Sequence, residues 1–131
     1  PEVFNLTAPT QPLVFARVRD LESSEINSVS YNSLRDVIVP VTQIIAGDDP
    51  SAPDFQILVD QEVVQKGARG VQTVYSFSID DKEQTINQTS LMSNDRTTMY
   101  IFVVRCTSEC YAKNTKKIEE IVSSFTVEGA R

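Results

Sequence analysis

Apolar and polar positions alternate through much of this chain and change to a spacing of three and four in two stretches. Val71, Thr73, Tyr75, Phe77 and Ile79 alternate with Gln72, Val74, Ser76 and Ser78, the period of a strand whose successive side chains point to opposite faces. Phe55, Ile57 and Val59 alternate with Gln56, Leu58 and Asp60, which predicts a strand extending towards Val64. Lys66 to Gly70 predicts a turn between the two. Asp80-Asp81 and Ser93-Asn94-Asp95-Arg96 read as turns on either side of a more polar strand around Gln84 to Met92. Thr98 to Val104 is apolar on both faces, the pattern of a central strand covered on each side. Near the start, Val3, Phe4 and Leu6 form a short strand, followed by a turn at Pro9 to Pro12. Leu13, Phe15, Arg17 and Arg19 then share one face of a second strand, opposite Val14, Ala16 and Val18. That strand is expected to be buried on one side, with its Arg side chains near the rim.

Tyr31, Leu34, Val37, Ile38 and Val41 recur at helical spacing, predicting a helix over residues 28 to 39 that stops or kinks at Pro40. Asn27 or Ser28 supplies its N-cap. Tyr111, Ile118, Ile121 and Val122 form a second stripe, opposite Lys113, Lys116, Lys117, Glu119 and Glu120. Thr107 or Ser108 is a candidate cap for this helix, with Asn114 a later candidate start. Phe125-Thr126-Val127 is expected to close the chain as a short strand. Strands grouped together, with helices packed on them, predict an α+β domain spanning 1–131: an antiparallel meander sheet of about four to six strands flanked by two helices. We expect Tyr75, Phe77, Phe102, Val104, Ile118, Ile121, Val122 and Phe125 to be buried together.

Composition narrows the chemistry. The chain of 131 residues contains no His, which removes Ser-His-Asp and Cys-His nucleophile arrangements and most catalytic zinc sites. No cofactor motif is visible. Gly67 and Gly70 form a G-x-x-G, but between strands rather than between the two helices of a KH domain, so a hairpin turn is the better reading. Net charge is −6. Residues 1–62 carry ten acidic and three basic side chains, residues 63–131 eight acidic and nine basic. An acidic chain without a basic stripe is a poor nucleic-acid binder. No apolar run approaches the roughly 20 residues of a membrane span, so no direct insertion by this domain is expected. Asp48, Asp49 and Asp54 share one loop without the Gly turn and spaced Glu of a calcium loop. They are a candidate surface for a protein partner with a basic face, or else a solvated, solubilising face.

Cys106 and Cys110 stand four apart at the predicted strand-to-helix junction. As metal ligands they lack further soft partners, and a redox pair is usually one residue tighter. A local disulfide is the favoured reading, and with it an extracytoplasmic location; two reduced cytosolic thiols are the alternative. Two glycosylation sequons, Asn5-Leu6-Thr7 and Asn87-Gln88-Thr89, have no support from the rest of the sequence.

The stretch Gly67-Ala68-Arg69-Gly70-Val71-Gln72-Thr73-Val74-Tyr75, two further strands, and the ending Ile118-Glu119-Glu120-Ile121-Val122-Ser123-Ser124-Phe125-Thr126-Val127 resemble the Mog1/PsbP-like superfamily. Within it, the bacterial secreted lipoprotein branch of the LpqN type is most similar. The resemblance covers roughly residues 55 to 127, with a looser match at 28 to 39. The family's opening aromatic-Pro-Gly-Trp segment has no counterpart here, and the Cys106/Cys110 pair is not a general family feature. The resemblance implies an antiparallel sheet flanked by helices and a non-enzymatic role. The expected function is therefore a non-catalytic extracytoplasmic binding or assembly domain, attached to a membrane through a preceding segment. A small-ligand carrier or enzyme of the cone-shaped, NTF2-like α+β kind is the alternative, and a cytosolic adaptor of the Mog1 kind a third reading.

Overall fold

A computed structural model describes residues 10–22, Val29, Leu34, 55–79 and 82–125. Five strands run through them: β1 Leu13–Asp20, β2 Phe55–Gln65, β3 Ala68–Ile79, β4 Lys82–Ser93 and β5 Thr98–Thr107. The helix α1, Ser108–Ser123, follows directly. All pairings are antiparallel, and the sheet order is β1-β5-β4-β3-β2. The α+β class and the antiparallel meander expected from the pattern are present. Of the two expected helices, the second is complete. The first falls on residues of which Val29 and Leu34 alone are described; Leu34 has helical backbone and is buried. The expected strand at Val3–Leu6 lies outside the described residues.

Local chemistry explains the turns. Lys66-Gly67 is a two-residue loop closing the β2/β3 hairpin, tighter than the five-residue turn expected, and Gly67 takes a φ of 91°. A side chain resists that conformation, whereas glycine does not. Gly70 lies inside β3 rather than in the turn. A Cβ there would overlap the Ser90 carbonyl oxygen and come 2.8 Å from the Leu91 Cα, so β3 and β4 approach closely only because this position has no side chain. In the β4/β5 turn the Ser93 hydroxyl accepts from the amides of Thr97 and Thr98 and donates to Asp95. The α1 N-cap is Thr107, whose Oγ1 accepts from the Cys110 amide at 3.1 Å.

The residues expected to be buried together divide between two faces. Tyr75 and Phe77 belong to one layer with Leu21, Leu34, Ile86 and Val103. Phe102, Val104 and Ile118 belong to the other, beneath α1, with Ile121, Val122 and Phe125 half-buried against them. The period-2 geometry requires this division. Tyr75 pairs with Ile86, and Ile86 with Arg105, placing those three on one face and the neighbouring Val104 on the other.

Three further expectations need correction. The strand in the middle of the sheet is the polar one, β4, and β5 lies one place nearer the edge. Gln84, Thr85, Asn87, Gln88, Thr89 and Ser90 are all buried, because each face of β4 has a layer over it. β1 is not buried on one side: Leu13, Val14, Phe15 and Val18 are exposed, and Arg19 is half-buried. It is an edge strand, bonded to β5 along one side alone. Phe125 is not in a strand; its amide donates to the Val122 carbonyl as the helix unwinds, while Thr126 and Val127 lie outside the described residues.

Candidate binding groove

α1 packs across β4 and β5, leaving the same face of β2 and β3 uncovered by it. The result is a groove of about 720 Å³ between the helix and the β2 edge. Val122 and Phe125 form its helix-side wall, and Leu58, Val59 and Val63 its strand-side wall. A break in register explains the last of these. Ile57 pairs with Tyr75 but Val59 pairs with Val74, so Leu58 is the extra residue of a bulge, and Val59 turns onto the groove face.

The floor is a row of hydrogen-bonded side chains running from strand edge to helix. Gln61 Nε2 donates to Gln72 Oε1 at 2.6 Å, Gln72 Nε2 to Asn87 Oδ1 at 3.1 Å, and Asn87 Nδ2 to the Tyr111 hydroxyl at 3.2 Å. Each step crosses to the next element, so the row ties β2, β3, β4 and α1 together. Burial raises the Tyr111 phenol above its ordinary value; the hydrogen bond from Asn87 opposes this, and the nearby Glu119 carboxylate adds to it. The phenol therefore keeps its proton at neutral pH and can donate it. Thr89 lies directly across from Gln72 in the β3/β4 ladder. It lines the floor and is 4% exposed, and its hydroxyl is buried with no hydrogen-bond partner among the described residues. Glu119 is the one carboxylate among the described lining residues, and no Lys or Arg joins it.

Cys106 and Cys110 form a disulfide with Cα atoms 5.9 Å apart. Both are buried. The bond pins the first turn of α1 to the end of β5, so it fixes the helix that walls the groove. Asp48, Asp49 and Asp54 lie outside the described residues. Asn87 is 2% exposed, so its sequon is folded into the central strand, where a glycan has no room; Asn5 lies outside the described residues. Among the described residues no cluster of His, Cys, Asp and Glu could hold a metal, and no helix is long and apolar enough to cross a membrane.

Sequence reasoning did not find Gln61, Gln72, Asn87 and Tyr111 as a unit. They are far apart in the chain, and their shared face follows from strand registers, including the bulge. The available signal was the presence of at least one amide in each of three successive strands.

The arrangement defines an α+β domain with a half-covered antiparallel sheet and a groove on the uncovered half. No protein-family model and no curated protein matches the chain. Among solved structures, the fold is similar to that of PA94 from Pseudomonas aeruginosa, a protein of unknown function described as a candidate regulator. The TM-score is 0.58 and the identity 8%, over 90% of this chain and 83% of that one. At that identity the likeness establishes the shared fold and nothing about activity.

Proposed function

We propose that this domain is a non-catalytic binding or assembly module of an extracytoplasmic protein and that the groove beside α1 is its contact surface. The observation that carries the reading is the groove's chemistry: apolar walls over a floor of amides already bonded in a row. Apolar walls provide affinity, and a few fixed polar groups provide orientation. Glu119 stands without a second carboxylate or a base in the described lining, which favours binding over proton transfer. The buried disulfide is compatible with an oxidising compartment. The resemblance to the Mog1/PsbP-like superfamily supports an assembly role, with a membrane anchor outside this domain.

The test uses the side-chain amide resonances of Gln61, Gln72 and Asn87. Peptides, neutral oligosaccharides and small metabolites are titrated in turn. Movement of these resonances by a compound that is recovered unchanged supports the reading, and silence towards every class overturns it. The small-ligand or enzymatic reading is favoured by the groove volume, which is in the range of sites for small molecules. Turnover of a metabolite that moves the same resonances would select it.

A further inference from the structure

We propose that β1 is a dimerisation edge: two copies of this chain pair through it, antiparallel, about a two-fold axis at Ala16. The strand is exposed on both faces. Leu13, Val14, Phe15 and Val18 are 46, 47, 50 and 65% exposed, and Ala16 and Arg17 are exposed between them. A row of apolar side chains along the outer edge of a sheet is a template for another strand. The opposite edge, β2, differs. It carries Asp60, Glu62 and a bulge after Ile57, features that deter strand addition, whereas β1 runs along β5 without a break in register.

The backbone fixes which groups face outward. The Leu21 amide donates to the Thr97 carbonyl at 2.7 Å, one step beyond the Asp20–Thr98 pair and in the same register. Inward and outward bonding alternate along an antiparallel strand. Leu13, Phe15, Arg17 and Arg19 therefore bond to β5, and Val14, Ala16, Val18 and Asp20 turn their N–H and C=O groups away from it. A two-fold axis normal to the sheet keeps each residue on its own face. Outward residues then meet outward residues, and the axis falls at a residue paired with its own copy.

The side chains select among the central registers. With the axis at Arg17, that guanidinium faces its own copy. With the axis at Phe15, Val18 falls opposite Pro12, which has no N–H to return a bond. With the axis at Ala16, Val14 and Val18 of the second copy exchange both bonds, and Ala16 does the same with its own copy. Leu13 then lies across from Arg19 of the second copy, and Phe15 across from Arg17. Arginine stems cover the apolar surface, and a guanidinium meets a ring. This self-complementarity commits the edge to a second copy rather than to an unrelated strand. Because the axis is normal to the sheet, both copies keep α1 on the same side. β1 and β2 are the two edges, so both grooves face one way at the far ends of a continuous sheet, ready to engage a repetitive partner twice.

The test introduces one cysteine at a time into the intact domain, whose two native cysteines are joined and buried. Ala16→Cys places a thiol at the axis opposite its copy, where a Cα separation of about 5.5 Å allows a disulfide. It should form a covalent dimer on mild oxidation. Val14→Cys and Val18→Cys should each form none alone and should cross-link when mixed. In sedimentation, the wild type should rise with concentration from the mass of one chain to that of two. Ala16→Pro removes an outward N–H and no bond to β5. It should weaken association at least about tenfold while leaving the thermal midpoint of the dilute protein near the wild-type value. Arg17→Pro, which loses a bond to β5, should lower that midpoint. A wild type that stays single-chain at every concentration overturns the proposal, as does undiminished association in Ala16→Pro. Cross-linking of Phe15→Cys in place of Ala16→Cys overturns the axis at Ala16, and growth beyond two chains overturns two-fold pairing in favour of a head-to-tail contact.

Discussion

One face of the sheet is closed and the other is half open, although the same strands build both. On the closed face, Tyr75, Phe77 and Ile86 are fully buried, and two of the polar side chains among them are bonded in series. Tyr75 donates to Gln88 at 3.1 Å, and Gln88 donates to the Leu34 carbonyl at 3.4 Å. On the other face α1 covers β4 and β5, and the floor beyond it is amide and valine. Burial raises the Tyr75 phenol strongly, against a small opposing effect of Arg105, while Tyr111 at the groove is raised and remains half-buried. The difference teaches that strand pattern alone does not close a layer. What packs on a face decides whether its polar residues become core or site.

The largest expected effect tests the closed face. Phe77→Ala should cost about 3–5 kcal/mol in urea unfolding, because a fully buried ring is replaced by a cavity. Val64→Ala, on the same face of edge strand β2 but 62% exposed, should cost under about 0.5 kcal/mol. Similar losses at both sites would break the distinction between closed and open regions.

The covered half of the other face depends on the short disulfide loop. Replacing Cys106 and Cys110 together by Ala should cost about 2 kcal/mol on the loop-entropy account. Hydrogen exchange should then quicken first in α1. Loss of protection in β3 before α1 would show that the disulfide does not act through the helix.

The groove floor should respond less. Gln72→Ala removes the link that joins Gln61 to Asn87 and should cost about 1 kcal/mol, leaving the closed-face side-chain resonances in place. Movement of those resonances would mean that the two faces are not independent.

The smallest effect lies at the β4/β5 turn, which sets the register of both faces. Hydrogen bonds from Ser93 and Thr97 hold the Asp95 carboxyl below its ordinary 3.8. A depressed folded value stabilises the protein above the unfolded pKa, and that contribution is lost as pH falls through the folded one. Asp95→Asn should therefore flatten the acid limb of the stability profile slightly, with no change at pH 7 beyond loss of the turn bonds. An Asp95 that titrates at or above 3.8 by NMR contradicts this.

Much of this fold is legible in the chain because alternation survives where one face is apolar. β3 shows it from Val71 to Phe77, and β5 shows the doubly apolar run of an interior strand. β4 was legible as a strand but not as the centre, because Gln84 to Ser90 look like surface until neighbouring strands supply their partners. The exposure of β1 was hidden for a related reason: Phe15 and Val18 signal burial by hydrophobicity, while edge position depends on the order of the sheet. The disulfide could be read from spacing and elimination. The groove could not, because its row of amides depends on three registers and a one-residue bulge at Leu58 that no local pattern announces.

The pairing of β1 has a consequence for the order of folding. Leu13 meets Arg105 and Asp20 meets Thr98, whereas β2 through β5 pair with sequential neighbours. Bringing β1 onto β5 closes a loop of most of the chain, at an entropic cost that must be met before its contacts offset it. The meander is thus expected to form first, with β1 docking last. During synthesis β1 is made before its partner β5 and waits for it, and the outer edge of β5 stays available to any other strand until β1 docks. Pulse-labelling exchange during refolding should find β1 amides protected after those of β3 and β4; simultaneous protection would place the long-range pairing in the nucleus itself.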